Sequence, residues 1–182
     1  YAEKGNKYPW ENAGEGFAWL KTTYVDGENP FHDGTARYAH AVSKKSQASE
    51  IRWTPDIPEE GRYAVYVSYA TLPNSVPDAR YVVRHKGVST TFKVNQKMGG
   101  GTWVYLGTFE FGKEDPNSNY VSLSNLSDSR GAVTADAVRF GGGMGNIARG
   151  DLMRETVSGL PRYLEGARYN AQWSGMPYGV YS

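Results

Sequence analysis

Hydrophobic and polar positions alternate along the middle of the chain, and this pattern predicts β-strands. In the stretch "GRYAVYVSYA", Tyr63, Val65, Val67 and Tyr69 fall on one face, and polar or small residues fall on the other. A period of two residues is that of an extended chain with one buried face. The stretch therefore predicts a half-buried strand, which follows a turn rich in proline and glycine.

Further runs of the same kind follow at short intervals. "ARYVVRHKG" and "VSTTFKVNQ" meet at Lys86-Gly87, and this junction predicts a hairpin. The runs "GGGTWVYLGTFEF", "YVSLSN" and "VTADAVRF" come next, separated by polar loops. Upstream, "GFAWLKTTYV", residues 37–42 and residues 50–54 are also predicted to be strands. Strands at this spacing are typical of antiparallel sandwiches and barrels.

The two ends of the chain differ from the middle. Residues 1–16 are polar and glycine-rich without a hydrophobic period, which predicts a flexible lead-in. After the glycines at 141–143, hydrophobic positions from Leu160 onward lie near helical spacing. The prediction is an all-β chain: an antiparallel β-sandwich, jelly-roll-like, over residues 17–143. Residues 144–182 are predicted to be a linker and a short C-terminal helical appendage that belongs to a neighbouring domain.

Composition narrows the classes of function. The chain has 20 basic and 19 acidic residues, so a net charge of +1 gives no reason to expect nucleic acid as a partner. No hydrophobic run is long enough to cross a membrane, so no membrane insertion is expected. The absence of cysteine excludes disulfides, thiol nucleophiles and thiolate metal sites. Fourteen tyrosines and five tryptophans favour a surface that stacks on flat ligands.

Four phrases occur in order between residues 50 and 140: "IRWTPDIPEEGRYAVYVSY", "DARYVVRHKGVSTTFKVNQ", "GGGTWVYLGTFEF" and "VSLSNLSDSRGAVTADAVRF". Together they resemble the golvesin C-terminal-like domain, also called the xanthan lyase carbohydrate-binding-like domain. The resemblance implies a β-sandwich accessory module of bacterial exported proteins, and hence a secreted, periplasmic or cell-surface location. It also implies as partners a polysaccharide or peptidoglycan glycan and the neighbouring domains of a parent protein, which is a xanthan lyase-type or amidase-like enzyme.

No spacing of residues predicts catalysis by this chain alone. His32, His40 and His85 lack the paired spacing of a zinc site, and no G-x-S-x-G nucleophile elbow occurs. Acidic residues are of ordinary abundance, so the sequence singles out no carboxylate pair for glycoside hydrolysis. The glycines at 141–143 lack the Lys-Ser/Thr pair of a phosphate loop, and the exit from a strand is favoured over a nucleotide site.

One loop carries oxygen ligands of the kind that calcium prefers. The stretch "DGENPFHDG" contains Asp26, Glu28, Asn29 and Asp33, but their spacing is not that of an EF-hand. A solvated loop whose side chains bond its own backbone is the favoured interpretation. No cofactor and no metal site is therefore predicted, and calcium is kept as the alternative.

Candidate ligand-binding residues are an aromatic side chain on a polar strand face and polar groups at strand ends. Sugar rings pack their C–H faces on aromatic rings, which makes Tyr66 a candidate. Asn95 and Gln96 offer amide groups at a strand end. Asp136 interrupts an otherwise hydrophobic strand; a carboxylate bonded at a strand bend is favoured, and a sugar or calcium contact is the alternative.

Two functions follow from these patterns. The first is a non-catalytic accessory module that binds or positions carbohydrate for an attached enzyme. The second is a structural insert or docking domain that binds no ligand of its own. Trp53 and Trp103 do not separate the two, because their strong strand patterns predict packing in the core.

Overall fold

The computed structural model describes residues 1–19, 33–57, 60–113 and 115–141. These residues form strands numbered in chain order as β1 (Ala2–Lys4), β2 (Glu11–Trp19), β3 (Asp33–His40), β4 (Glu50–Trp53), β5 (Gly61–Ser68), β6 (Ala79–His85), β7 (Val88–Val94), β8 (Val104–Phe111), β9 (Tyr120–Ser124), β10 (Ala132–Ala135) and β11 (Ala137–Phe140). Two short 3-10 helices, Lys45–Gln47 and Pro116–Ser118, lie in the connections.

The strands form two layers. One layer is a five-stranded antiparallel sheet in the order β1-β4-β9-β6-β7. The other contains the three-stranded sheets β10-β3-β2 and β11-β5-β8, which are joined because β10 and β11 are consecutive pieces of one chain segment. The pairs β6–β7, β5–β8, β4–β9 and β3–β10 are nested around the β6–β7 hairpin and alternate between the layers. This is the jelly-roll arrangement of a β-sandwich, which confirms the predicted fold class.

The hydrophobic core lies between the two layers and uses the alternate positions that the sequence indicates. Val65, Val67 and Tyr69 are fully buried, as the alternation predicts. Phe92 of β7 and Phe109 of β8 meet edge to face across the layers, with ring centroids 5.8 Å apart. Burial of such side chains is the main favourable term in the stability of a sandwich.

The two tryptophans expected in the core contribute to it. Trp103 is buried, and Trp53 is partly buried and packs against the core cluster. The prediction of core packing is therefore confirmed for both side chains.

The hairpin between β6 and β7 turns at the predicted pair of residues. Lys86 has φ 47° and Gly87 has φ 80°, and His85 pairs with Val88. A two-residue loop with positive φ at both positions has the twist that matches antiparallel strands. This element is therefore specified locally by its own sequence.

The N-terminal segment differs from the prediction of a flexible lead-in over residues 1–16. It contains β1, which pairs with β4, and the first part of β2, which pairs with β3. Arg37 of β3 donates from Nε to Glu3 Oε2 at 2.7 Å and from Nη2 to Glu3 Oε1 at 2.9 Å, and Trp10 is buried in the core. A segment held by polar partners and one buried tryptophan shows no hydrophobic period, so the sequence pattern missed it.

The predicted linker and helix at 144–182 lie outside the described residues, and the domain boundary near residue 143 stays a prediction. Within the described part of the chain, no helix is long and hydrophobic enough to cross a membrane.

Candidate functional site on the outer face of the five-stranded sheet

Gln96, a predicted ligand-binding residue, is fully buried. Its Nε2 donates to the backbone oxygen of Thr134 at 2.7 Å, and its Oε1 accepts from the backbone N–H of Thr134 at 2.9 Å. Nε2 also lies 3.4 Å from the hydroxyl of Tyr81. The two bonds to Thr134 are those that the backbone of a neighbouring strand would make. The side-chain amide of Gln96 therefore takes the place of backbone groups of a neighbouring strand, and it lies in the interior.

Asp136 marks the point at which one chain segment changes its partner strand. β10 pairs with β3, and β11, which follows Asp136, pairs with β5. The backbone N–H of Asp136 donates to the oxygen of Ser68 at 3.1 Å, and its Oδ2 accepts from Ser68 Oγ at 3.3 Å. This geometry is that of a carboxylate bonded at a strand bend, the interpretation that the sequence favours.

Asn95 and Tyr66 occupy other parts of the fold. Asn95 follows β7 and is half-buried; its Oδ1 accepts from the N–H of Lys97 at 3.1 Å. Tyr66 is half-buried on the outer face of the layer that contains β5, with its ring centroid 5.3 Å from that of Tyr105. Because Gln96 lies in the interior, the structure does not gather the four predicted residues on one surface.

The calcium alternative concerns a loop whose residues Asp26, Glu28 and Asn29 lie outside the described residues. Asp33 is the first residue of β3. In the part of the chain that the structure describes, no group of three or more histidine, aspartate or glutamate side chains is arranged to hold a metal ion.

The loop between β9 and β10, part of the last of the four family-like phrases, is held by buried polar side chains. Asn125 is fully buried, and its Oδ1 accepts from the N–H of Ser49 at 2.7 Å. Asp78, also buried, accepts from Ser127 Oγ at 2.5 Å and from the N–H of Asp128 at 2.8 Å. Buried polar groups with satisfied hydrogen bonds fix a loop in one conformation. Asn125, Ser127 and Asp128 of this phrase therefore stabilise the fold.

The outer face of the five-stranded sheet presents cationic side chains that the sequence analysis did not single out. The strand register places Arg80 of β6 between Ser124 of β9 and Lys93 of β7. Directly opposed side chains on one face lie about 5 Å apart. In the neighbouring rows of opposed residues across the sheet, Arg52 lies opposite Ser122 and Arg84 lies opposite Tyr120. We call this surface the basic face; it comprises Glu50, Arg52, Arg80, Arg84, Lys93, Tyr120, Ser124 and the buried Ser122.

An arginine and an aromatic ring stack at one side of the basic face. The guanidinium carbon of Arg52 lies 3.9 Å from the centroid of the Tyr120 ring. This is a cation–π contact. Arg52 Nη2 also lies 3.3 Å from Glu50 Oε1, and the Arg52 side chain is 38% exposed. The stacked pair therefore offers both an apolar surface and hydrogen-bond donors to solvent.

At the other side of the basic face, the cations hold a carboxylate. Asp128 Oδ2 lies 2.7 Å from Arg80 Nη2 and 3.6 Å from Lys93 Nζ. The hydrogen bond from Arg80 and the positive charge of Arg80 hold the pKa of Asp128 below its ordinary value. The Asp128 side chain is 71% exposed, so the basic face binds this carboxylate at its solvent-facing surface.

The basic face escaped sequence analysis because its members come from strands that are distant in the chain. β9 lies between β4 and β6 in the sheet, and no hydrophobic pattern predicts that order. The signal in the sequence was the set of polar positions that alternate with hydrophobic ones in each strand, such as Arg80 and Arg84 in "ARYVVRH". That signal identifies outward-facing residues and leaves their neighbours on other strands unknown.

Comparisons with known proteins agree with this fold. The family model of the Golvesin C-terminal domain matches residues 11–142. Over 105 residues the chain is 31% identical to xanthan lyase of Bacillus sp. (strain GL1), which covers 58% of this chain and 11% of that protein. The solved structure of Paenibacillus xanthan lyase superposes with a TM-score of 0.53 and 25% identity, over 76% of this chain and 11% of that chain. The chain thus spans only a small part of these relatives. It belongs to the Golvesin C-terminal domain family.

Proposed function

We propose that this chain is a non-catalytic accessory module of an exported polysaccharide- or cell-wall-active enzyme, and that it binds or positions carbohydrate. Its relatives support the first part, since the chain matches a stretch equal to 11% of a xanthan lyase. The observation that carries the second part is the basic face, where the guanidinium of Arg52 stacks on the ring of Tyr120. The location that we propose with this function is secreted, periplasmic or on the bacterial cell surface.

The shape of the basic face suits an extended polymer. Adjacent strands lie about 4.8 Å apart, so β4, β9, β6 and β7 together span roughly 15 Å. An aromatic ring packs on the C–H faces of sugars, and guanidinium groups and hydroxyls bond their oxygens. A surface of this width contacts a run of sugar units better than it contacts a single one.

The described histidines support a non-catalytic role. His85 is half-buried: its ring centroid lies 4.9 Å from that of Phe109, and its Nε2 lies 3.2 Å from Thr90 Oγ1. Burial lowers the pKa of His85, which favours its neutral form. His40 makes edge contacts with the rings of Tyr8 and Tyr38. Packing against aromatic rings therefore accounts for the half-buried His85, and the exposed His40 lies against two tyrosine rings.

A second candidate function is a structural insert or docking domain without a ligand of its own. The small share of the xanthan lyases that the chain covers favours this alternative, because a module within a large enzyme is surrounded by other domains. The two functions differ in one respect that can be measured: only the first requires a glycan to bind the isolated chain.

Binding of purified chain to xanthan and to peptidoglycan fragments, measured by isothermal titration calorimetry, tests the proposal. We expect saturable binding to one of them, and we expect Arg52→Ala combined with Tyr120→Ala to weaken it by about tenfold through loss of the stacked pair. Arg62→Ala is the control for the loss of an arginine, because Arg62 is an exposed residue of β5 in the other layer.

Thermal unfolding of each variant separates lost binding from lost folding. Tyr66→Ala in the same series tests whether the other layer adds a contact. If the folded wild-type chain bound none of these glycans, the result would favour the structural insert.

A further inference from the structure

We propose that Arg80 and Lys93 form a carboxylate-binding subsite of the basic face, that Asp128 occupies this subsite as an internal ligand in the unbound protein, and that the ligand is an acidic polysaccharide. The inference rests on the proposed function, since it names the ligand class of the same surface. Its starting point is the contact of the Asp128 carboxylate with both cations, at 2.7 Å from Arg80 and 3.6 Å from Lys93.

The backbone of Asp128 is fixed while its side chain remains exposed. Asp78, which directly precedes β6, accepts hydrogen bonds from Ser127 Oγ and from the N–H of Asp128. Asp78 and Ser127 are buried, whereas the Asp128 side chain is 71% exposed. Rotation of the Asp128 side chain alone therefore uncovers the two cations, and the loop keeps its conformation.

The internal pair is one that a ligand can replace. Asp128 meets Arg80 through Nη2, and the buried Nε of Arg80 has no hydrogen-bond partner within the described residues. The contact is thus not the two-pronged arrangement that makes arginine–carboxylate pairs strong. An exposed single pair adds little to stability. The carboxylate of a uronate has the same chemistry as Asp128, so it can take over the contact with Arg80 and Lys93 at small cost.

Charge complementarity selects an acidic polymer over a neutral one. Arg52 and Arg84 lie on the same face as Arg80 and Lys93. They belong to other rows of opposed residues, and successive rows on one face are about 7 Å apart because two residues separate them along a strand. The four cations outnumber the carboxylates of Glu50 and Asp128 that bond to them, so the surface attracts a polymer that carries negative charges at intervals. A neutral glycan would gain nothing from this excess of positive charge.

Two opposite substitutions test the subsite in the full chain. Asp128→Asn removes the internal carboxylate, and we expect xanthan, an acidic polysaccharide, to bind about three- to fivefold tighter, the range that an exposed ion pair corresponds to. Arg80→Gln combined with Lys93→Gln is expected to weaken xanthan binding by about tenfold or more. Binding of a neutral glucomannan is expected to be weaker than that of xanthan and to respond to neither change.

Charge-matched controls separate the subsite from overall charge. Glu110→Gln changes the charge as Asp128→Asn does, and Glu110 is an exposed residue of β8 in the other layer. Lys44→Gln combined with Lys45→Gln matches the double variant, because both lysines are exposed at the first 3-10 helix. Neither control is expected to shift xanthan affinity by more than about twofold.

Each other outcome has a distinct meaning. Equal effects of Asp128→Asn and Glu110→Gln would overturn the subsite, and equal affinity for xanthan and polyglutamate would overturn the assignment to a polysaccharide. Equal binding of xanthan and glucomannan by every variant would keep the proposed function and overturn this inference. If neither the wild type nor Asp128→Asn binds either polysaccharide, this inference fails, and binding to peptidoglycan fragments then decides the proposed function. Because the Asp128 side chain is exposed, Asp128→Asn decides the question even if the Arg80 variant unfolds.

Discussion

At the scale of the residue, buried side-chain amides complete the backbone hydrogen bonding of this sandwich. Asn119 is buried; its Oδ1 accepts from the N–H of Lys86 at 3.1 Å and its Nδ2 donates to the oxygen of Gly112 at 2.7 Å. Gln96 does the same for Thr134. Turns and strand junctions bring backbone groups into the interior where no strand is available as a partner, and an unsatisfied group there is costly. A side-chain amide has both a donor and an acceptor, so it can bond both a backbone oxygen and a backbone N–H.

Gln96→Glu tests this role. The ionised glutamate cannot donate to the oxygen of Thr134, so we expect the free energy of unfolding at pH 7 to fall by about 3 kcal/mol. Burial raises the pKa of the new carboxyl above its unfolded value. The neutral acid can still donate, so the loss is smallest at about pH 4 and grows as pH rises through the folded pKa.

Urea unfolding of the variant and the wild type between pH 4 and 7 measures the effect. Gln96→Leu is the comparison, since it removes both bonds without adding a titrating group, and its loss should not change with pH. A Gln96→Glu variant with wild-type stability and altered glycan binding would instead make Gln96 a ligand-binding residue.

At the scale of the element, the β6–β7 hairpin carries a residue that is not ideal for its backbone. Lys86 has φ 47°, a region that asparagine tolerates better than lysine. Asn-Gly is the preferred pair for this turn, so Lys86→Asn is expected to raise the free energy of unfolding by roughly 0.5 kcal/mol. The ion pair of Lys86 Nζ with Glu60 Oε2 at 2.7 Å is exposed and adds little.

Lys86→Val is the matched control for the hairpin, because it also removes the ion pair but places a β-branched residue at positive φ. We expect it to lower the free energy of unfolding by about 1–2 kcal/mol. Midpoints of urea unfolding give both values. If the two variants were equally stable, the backbone conformation at this position would not be what decides stability.

Sequence predicted those elements whose signal is local, and it missed the arrangement between them. Val65, Val67 and Tyr69 are buried as their alternation indicates, because burial of one face imposes a period of two. Gln96 was predicted at the surface, since a buried glutamine and an exposed one look alike in sequence until the partner, Thr134, is known. The basic face depends on which strands are neighbours in the sheet. The pairing of strands that are distant in the chain produces no periodic pattern in the sequence.

At the scale of the whole molecule, the N-terminal segment connects the two layers. β1 extends the five-stranded sheet and β2 belongs to the other layer. Arg37 of β3 bonds Glu3 of β1 across the layers, and Ser49 Oγ donates to the oxygen of Tyr8 at 2.5 Å. Because these contacts join elements that are separate in the fold, their loss should affect global stability and not only the N-terminus.

Removal of residues 1–9 tests this connection. The shortened chain lacks the β1–β4 pairing, the Arg37–Glu3 pair and the Tyr8 acceptor, so we expect its free energy of unfolding to fall by about 2–4 kcal/mol. Glu3→Gln is the milder comparison: it weakens one pair, for a loss of about 1 kcal/mol, and leaves the strand in place. Urea unfolding followed by tryptophan fluorescence gives both midpoints. A midpoint unchanged by the deletion would mean that the core between the layers sustains the sandwich alone, and that residues 1–9 form strands only because the rest of the fold provides an edge.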